Sequence, residues 1–151
     1  WNYDFSTIDY DGLCISNGPG NPNYCEITVD YIRKAMQREK PVFGICMGNQ
    51  LLAKAAGADT YKLKYGHRSH NQPVRRVGGN ECFITSQNHG YAVNESLLGE
   101  EWMPWFINMN DGTNEGICHK TKPFYSVQFH PEATGGPTDT RFFFENFVKM
   151  L

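Results

Sequence analysis

A thiol, an imidazole and a carboxylate stand in sequence contexts that suit nucleophilic chemistry. Cys46 lies in Gly44-Ile45-Cys46-Met47-Gly48, where the apolar run Pro41-Val42-Phe43-Gly44-Ile45 gives way to a helical pattern. That is the pattern of a nucleophile elbow, in which flanking glycines let the backbone turn sharply and hold the side chain out at the tip. A thiol at the start of a helix also feels the positive end of the macrodipole, which favours the reactive thiolate. Phe129-His130-Pro131-Glu132 supplies a base. Pro131 biases His130 towards extended backbone, and residues two apart on extended chain share a side, so Glu132 can reach one imidazole nitrogen. The other nitrogen is left to accept a proton from a nucleophile. Gly18-Pro19-Gly20 adds uncovered backbone N–H groups of the kind that meet an oxyanion. Singly, these motifs also read as a buried small hydrophobe, a surface ion pair and a turn; their company points to catalysis.

The elements that must position these groups can be read from periodicity. Gly12-Leu13-Cys14-Ile15-Ser16 is a short strand stopped by Asn17-Gly18-Pro19-Gly20-Asn21-Pro22. Tyr31 with Ala35 and Ile32 with Met36 mark an amphipathic helix, Pro41–Ile45 a second strand, and Leu51/Ala55 with Leu52/Ala56 a second helix that Gly57 ends. From Thr60 the pattern turns to alternation, with Tyr61, Leu63 and Tyr65 against Lys62 and Lys64, then short runs near Val74, Phe83, Phe106 and Ile117. The middle is thus antiparallel or mixed sheet. Phe124–Phe129 is a last strand, and Phe143, Phe144, Phe147, Val148 and Leu151 close the chain as a docked helix. With no repeat or linker, residues 1–151 read as one α/β domain.

Composition narrows the setting. The 151 residues carry 14 Lys+Arg against 16 Asp+Glu, a net charge of -2, which argues against avid nucleic-acid binding. No apolar stretch approaches the roughly 18 residues of a bilayer span. Five well-separated cysteines, Cys14, Cys25, Cys46, Cys82 and Cys118, suit neither a disulfide framework nor a zinc ribbon. A cytoplasmic setting is expected. His67 and His70, without a carboxylate or thiolate nearby in sequence, make a poor metal site and read as loop residues. Cys14, Cys82 and Cys118 read as core, His89 as a structural hydrogen-bonding residue, Arg75-Arg76 as a solvated strand end, and Phe142-Phe143-Phe144 as helix core.

Taken in order, the motifs resemble the class I, triad-type glutamine amidotransferases over essentially the whole chain. The fuller wording resembles the glutaminase part of carbamoyl-phosphate synthetase: Ser16-Asn17-Gly18-Pro19-Gly20-Asn21-Pro22, Pro41–Cys46, Asn71-Gln72-Pro73-Val74, Ser86-Gln87-Asn88-His89-Gly90-Tyr91, Asn110–Gly116 and Gln128–Glu132. The resemblance implies a flavodoxin-like, mostly parallel central sheet flanked by helices, with additional antiparallel strands. It implies glutamine hydrolysis through a γ-glutamyl thioester on Cys46, with His130 as acid and base and Glu132 orienting it. By the same resemblance, backbone N–H groups of Gly20 and Met47 form the oxyanion hole. Gly18, Gly20, Met47, Gln50, Asn88, Gly90 and Tyr91 hold the substrate.

No cofactor or metal is implied for this domain. ATP and magnesium belong to a synthetase partner, a large subunit or a fused domain, that makes carbamoyl phosphate from bicarbonate. Met47 and Asn49 stand where the family usually has Leu and His, and Tyr91 where Phe is commoner. Some relatives with damaged elbows carry Asn at the Asn49 position too, and those typically also lose the cysteine, which this chain keeps. The family's domain has a further strand and helix before the stretch corresponding to Trp1, so the chain reads as truncated there. Rival readings are a glutaminase serving an anthranilate or GMP synthetase, a non-catalytic amidotransferase-like binding module, and a hydrolase of γ-glutamyl peptides. Whether carbamoyl phosphate would serve arginine or pyrimidine synthesis stays open.

Overall fold

The strand β2 (Val42–Ile45) is buried at all four positions, because it is covered on both faces. Alternation sends Val42 into one core and Phe43 and Ile45 into the other. The computed structural model describes residues 3–151. Trp1 and Asn2, with which the expected domain opens, lie outside the described residues.

In chain order the other elements are β1 (Leu13–Ile15), α1 (Glu26–Met36), α2 (Met47–Ala55), β3 (Asp59–Arg76), β4 (Cys82–Asn94), β5 (Trp102–Asn108), β6 (Asn114–His119), β7 (Phe124–Val127) and α3 (Phe142–Val148). The strands form one seven-stranded sheet in the order β1-β2-β7-β6-β5-β3-β4. β1, β2 and β7 are parallel. The antiparallel strands β6, β5, β3 and β4 extend the sheet from β7. The α/β fold with parallel strands flanked by helices and additional antiparallel strands is therefore present, its parallel part being the three strands β1, β2 and β7 at one end of the sheet.

On one face Val29 and Ile32 of α1 and Leu51 and Leu52 of α2 pack against Val42, Ile117 and Phe124. On the other, Phe143 and Phe147 of α3 pack against Phe43, Phe106, Tyr125 and Phe129. Each fully buried aliphatic or aromatic side chain contributes about 1.5–3 kcal/mol. Small residues let α2 approach the sheet: a Cβ at Gly44 would stand 2.6 Å from the carbonyl oxygen of Gly48.

Some expectations change. Cys14 and Cys82 are exposed, not core. In β1, alternation buries Ile15 and turns Cys14 to the side the edge strand leaves uncovered, and Cys82 opens β4 at the hairpin. Cys118 is half-buried. The last strand ends at Val127, although Gln128 and Phe129 stay fully buried beyond it.

Candidate active site

Cys46 occupies the single residue between β2 and α2 and has φ 53° and ψ -102°. A side chain rarely adopts positive φ, and the neighbours hold it there. The Cys46 N–H donates to the Val127 carbonyl at 2.9 Å, and the Gln50 N–H donates to the Cys46 carbonyl at 3.2 Å. The strand is thus tied to β7 at the point where the helix begins. Cys46 is only 5 % exposed, so the thiol lies on the floor of a cavity and not at an open tip. Its sulfur is 3.9 Å from the carbonyl oxygen of Asn88.

β7 delivers the base. The His130 N–H donates to the Ser86 carbonyl at 2.9 Å, which fixes the chain beyond the strand end. Nδ1 of His130 lies 2.7 Å from Oε1 of Glu132, so the carboxylate keeps the hydrogen on that nitrogen. Nε2 is buried and makes no hydrogen bond of ordinary geometry among the described residues. The Cys46 sulfur lies beside it, and that sulfur first and Glu132 second push the imidazole up to about 10, against burial acting the other way. Glu132 is pushed up by burial but held lower on balance by the hydrogen bond from His130.

These groups share a cavity of about 570 Å³. Gly18, Gly20, Met47, Gln50, Asn88, Gly90 and Tyr91 all line it, as do Cys46 and His130; Glu132 stands behind His130. Gly20 has φ +103°, a conformation that suits glycine. Met47 is the first residue of α2 and therefore has one of the helix's unsatisfied N–H groups. Nε2 of Gln50 donates to the Tyr91 carbonyl and to Oε1 of Gln128, both at 3.0 Å. Asn49 is fully buried beneath the cavity. It donates to Oε1 of Gln128 at 3.1 Å and accepts from the Ser126 hydroxyl at 2.8 Å, so both ends of the amide are engaged in place of the family's usual imidazole.

Sequence reasoning missed four contributors. Lys62 and Arg68 bring two cations to the cavity wall; alternation in β3 placed Lys62 on a face without saying that the face was the cavity's. Gln128 anchors Asn49 and Gln50 from within the strand-end motif, and Ser86 holds His130 through its backbone.

His67 is a correction. It is not a loop residue but a buried member of β3, and carboxylates do stand beside it. A bulge between Lys62 and His67 turns it inward, opposite His89 of β4. Nε2 lies 2.9 Å from Asp111 Oδ2 and Nδ1 lies 3.2 Å from Glu115 Oε1. Glu115 and, after the opposing effect of burial, Asp111 push His67 up to about 9. Burial pushes His89 down to about 4, and burial pushes the Glu115 carboxyl up against the hydrogen bonds it accepts from His67 and Asn108. Ligand atoms of His67, His89 and Glu115 lie within 4.8 Å of one another. His70 is likewise a residue of β3 and not of a loop; it is exposed and faces the Ser86 hydroxyl at 3.0 Å.

The chain matches the family model for glutamine amidotransferase class-I over residues 1–150. It is 56% identical over 152 residues to the multifunctional protein pyr-3 of Neurospora crassa, covering all of this chain and 8% of that protein. It is 53% identical over 143 residues to the carbamoyl phosphate synthase arginine-specific small chain of Neosartorya fischeri, covering 94% of this chain and 32% of that one. The chain thus spans a third or less of the length of these curated relatives. A solved structure from Thermoplasma acidophilum, attributed to a GMP synthase, superposes with a TM-score of 0.83 at 26% identity, over 99% of this chain and 77% of that one.

Proposed function

The chain belongs to the class I glutamine amidotransferases, and we propose that its cavity hydrolyses glutamine to glutamate and ammonia. The observation that carries this reading is the convergence of the strained Cys46, the raised His130 and its Glu132 partner on one cavity of about 570 Å³, which has room for an amino acid. His130, with Nδ1 held by Glu132, takes the Cys46 thiol proton on Nε2. The sulfur attacks the side-chain amide carbon, and the carbonyl oxygen becomes an oxyanion that the N–H groups of Gly20 and Met47 meet, each worth about 10²- to 10³-fold. His130 gives its Nε2 proton to the departing nitrogen, ammonia leaves, and a thioester remains. His130 then takes a proton from water as the water attacks, and the thiolate is expelled with glutamate. Positioned acid and base help of this kind is worth about 10²- to 10⁴-fold.

Both hydrogens of the Gln50 amide are engaged by Tyr91 and Gln128, which leaves its Oε1 to accept from the substrate's ammonium. Arg68 and Lys62 bring positive charge for the carboxylate, with Asn88 and the backbone of Gly18, Gly90 and Tyr91 completing the pocket.

The ammonia serves a synthetase subunit or fused domain that forms carbamoyl phosphate from bicarbonate. Support comes from the identity to pyr-3 and to the arginine-specific small chain. ATP and magnesium are assigned to that partner, and no cofactor to this domain. No helix among the described residues is long and apolar enough to cross a membrane; with five free cysteines, the cytoplasm is the setting we assign.

Exposure of the protein to a glutamine-analogue electrophile, followed by peptide mapping, tests the reading. Labelling at Cys46, blocked by glutamine and lost in Cys46→Ala, is the expected outcome. Labelling spread over the exposed cysteines and indifferent to glutamine would refute it.

A further inference from the structure

The hydrogen inventory of the His67–His89 pair is fixed by what surrounds it. Nε2 of His67 faces the Asp111 carboxylate at 2.9 Å, which accepts only, so that nitrogen carries a hydrogen. Nδ1 of His89 faces the Tyr91 carbonyl at 2.8 Å, and it too carries one. The inner nitrogens, His67 Nδ1 and His89 Nε2, face each other at 3.2 Å. Bare, they would oppose two lone pairs; both protonated, they would set two cations against each other, the second on the buried ring of His89, where burial disfavours charge. One hydrogen between them satisfies both, and Gln87 Oε1, at 3.0 and 2.9 Å from the two nitrogens, accepts alongside. Three hydrogens on four ring nitrogens make the pair a single cation. Glu115, 3.2 Å from the inner nitrogen of His67, and Asp111 on its outer side favour that charge on His67. The opposite displacements of the two rings, His67 up to about 9 and His89 down to about 4, agree with one proton shared unequally.

We propose that His67 is a positioning residue for the glutamine pocket: sharing its proton with His89, it locks His89 with Nδ1–H on the Tyr91 carbonyl and so fixes the Gly90–Tyr91 backbone that borders the substrate. The pocket assignment rests on the glutaminase reading above; the proton inventory does not. The carbonyl of Tyr91 receives hydrogen bonds from His89 on one side and from Gln50 on the other, so its peptide plane is held from both the sheet and α2. Release of His67 frees the His89 ring to exchange its hydrogen to Nε2, which removes the first of those bonds. Gly66 makes the arrangement possible: at φ +72° it passes so close to β4 that a Cβ would stand 2.5 Å from the His89 carbonyl oxygen.

The test combines spectroscopy with kinetics on the full chain. In ¹⁵N-histidine-labelled protein at neutral pH, long-range ¹H–¹⁵N spectra should show His67 protonated at both nitrogens and His89 as the Nδ1–H form. His67→Gln should raise KM for glutamine about tenfold or more while kcat stays within about threefold, the split expected when ground-state and transition-state binding are lost together. Asp111→Asn, a milder change at a half-exposed carboxylate, should make His67 titrate at lower pH and raise KM in the same direction. A neutral His67 or an Nε2–H form of His89 overturns the proposal. So does an unchanged KM in both variants, or stoichiometric zinc held by His67, His89 and Glu115. Absence of glutaminase activity in the unaltered protein would refute the reading of the pocket instead, and the spectra would still decide the shared proton.

Discussion

A Cβ placed on Gly48 would stand 2.0 Å from the carbonyl oxygen of Ile15. The first turn of α2 is thus pressed against the end of β1, and the loop that follows β1 and the elbow that precedes α2 form adjoining walls of one cavity. Gly48→Ala should destabilise the protein by about 1–3 kcal/mol, the usual effect of overpacking. It should also lower glutamine turnover, because backbone and not a flexible side chain must give way. Urea unfolding together with the glutaminase assay checks both.

Cys46 has a positive φ without being glycine. Cys46→Ala removes the nucleophile and should abolish glutamine hydrolysis while keeping the strain. Cys46→Gly should be equally inactive yet more stable than the alanine variant by about 1 kcal/mol, since glycine tolerates the conformation. Chemical denaturation of the two variants side by side measures the difference.

Glu132→Gln leaves a hydrogen-bonding group beside His130 but removes the charge and the control of the tautomer. A fall in kcat of about 10²- to 10⁴-fold is expected, with the His130 imidazole losing part of its upward shift. Steady-state kinetics and histidine NMR report the two effects separately.

Asn49→Leu fits the volume but leaves the Ser126 hydroxyl buried without its acceptor and removes one of the two donors to the Gln128 oxygen. The expected cost is about 1–3 kcal/mol. Because Gln50 leans on the same Gln128 oxygen, KM for glutamine should rise as well. Thermal unfolding and the substrate dependence of turnover decide it.

Three histidines give stability a defined pH dependence. Folding raises His67 to about 9 and His130 to about 10, above the unfolded value of about 6.5. Their contributions are therefore fully present below about pH 6.5 and are lost as pH rises through about 9 and 10. Folding lowers His89 to about 4, so that group opposes folding as pH falls from about 6.5 towards 4. The sum places the best stability these groups allow near pH 6.5. Unfolding midpoints between pH 4 and 10.5 should trace a curve falling on both sides, and His67→Gln should flatten its alkaline arm.

Motif chemistry was legible wherever the local chain dictates geometry. Glycines on both sides of Cys46 announced a sharp strand-to-helix turn, and Pro131 announced that Glu132 would reach His130. Strand and helix spacing located α1, α2, β2 and β7 for the same reason, since each has a face that must be buried. What the sequence hid depends on partners far along the chain. The inward turn of His67 comes from a bulge and a register set by β4, and its carboxylates arrive from the turn between β5 and β6 and from β6 itself. Cys14 carries the apolar signal of a strand, but nothing local says that the strand lies at the sheet's edge.

The strand order has a consequence for when the site can come into being. β7 follows all the other strands in the chain, yet it sits between β2 and β6 and brings His130 and Glu132 with it. During synthesis the thiol of Cys46 is made early and must wait, without its base, while some eighty residues are added. The parallel and antiparallel halves of the sheet are joined only through this late strand. Closure therefore depends on contacts of long sequence separation, the kind that fold slowly. A nascent or interrupted chain that lacks β7 has the thiol without the imidazole and carboxylate that partner it.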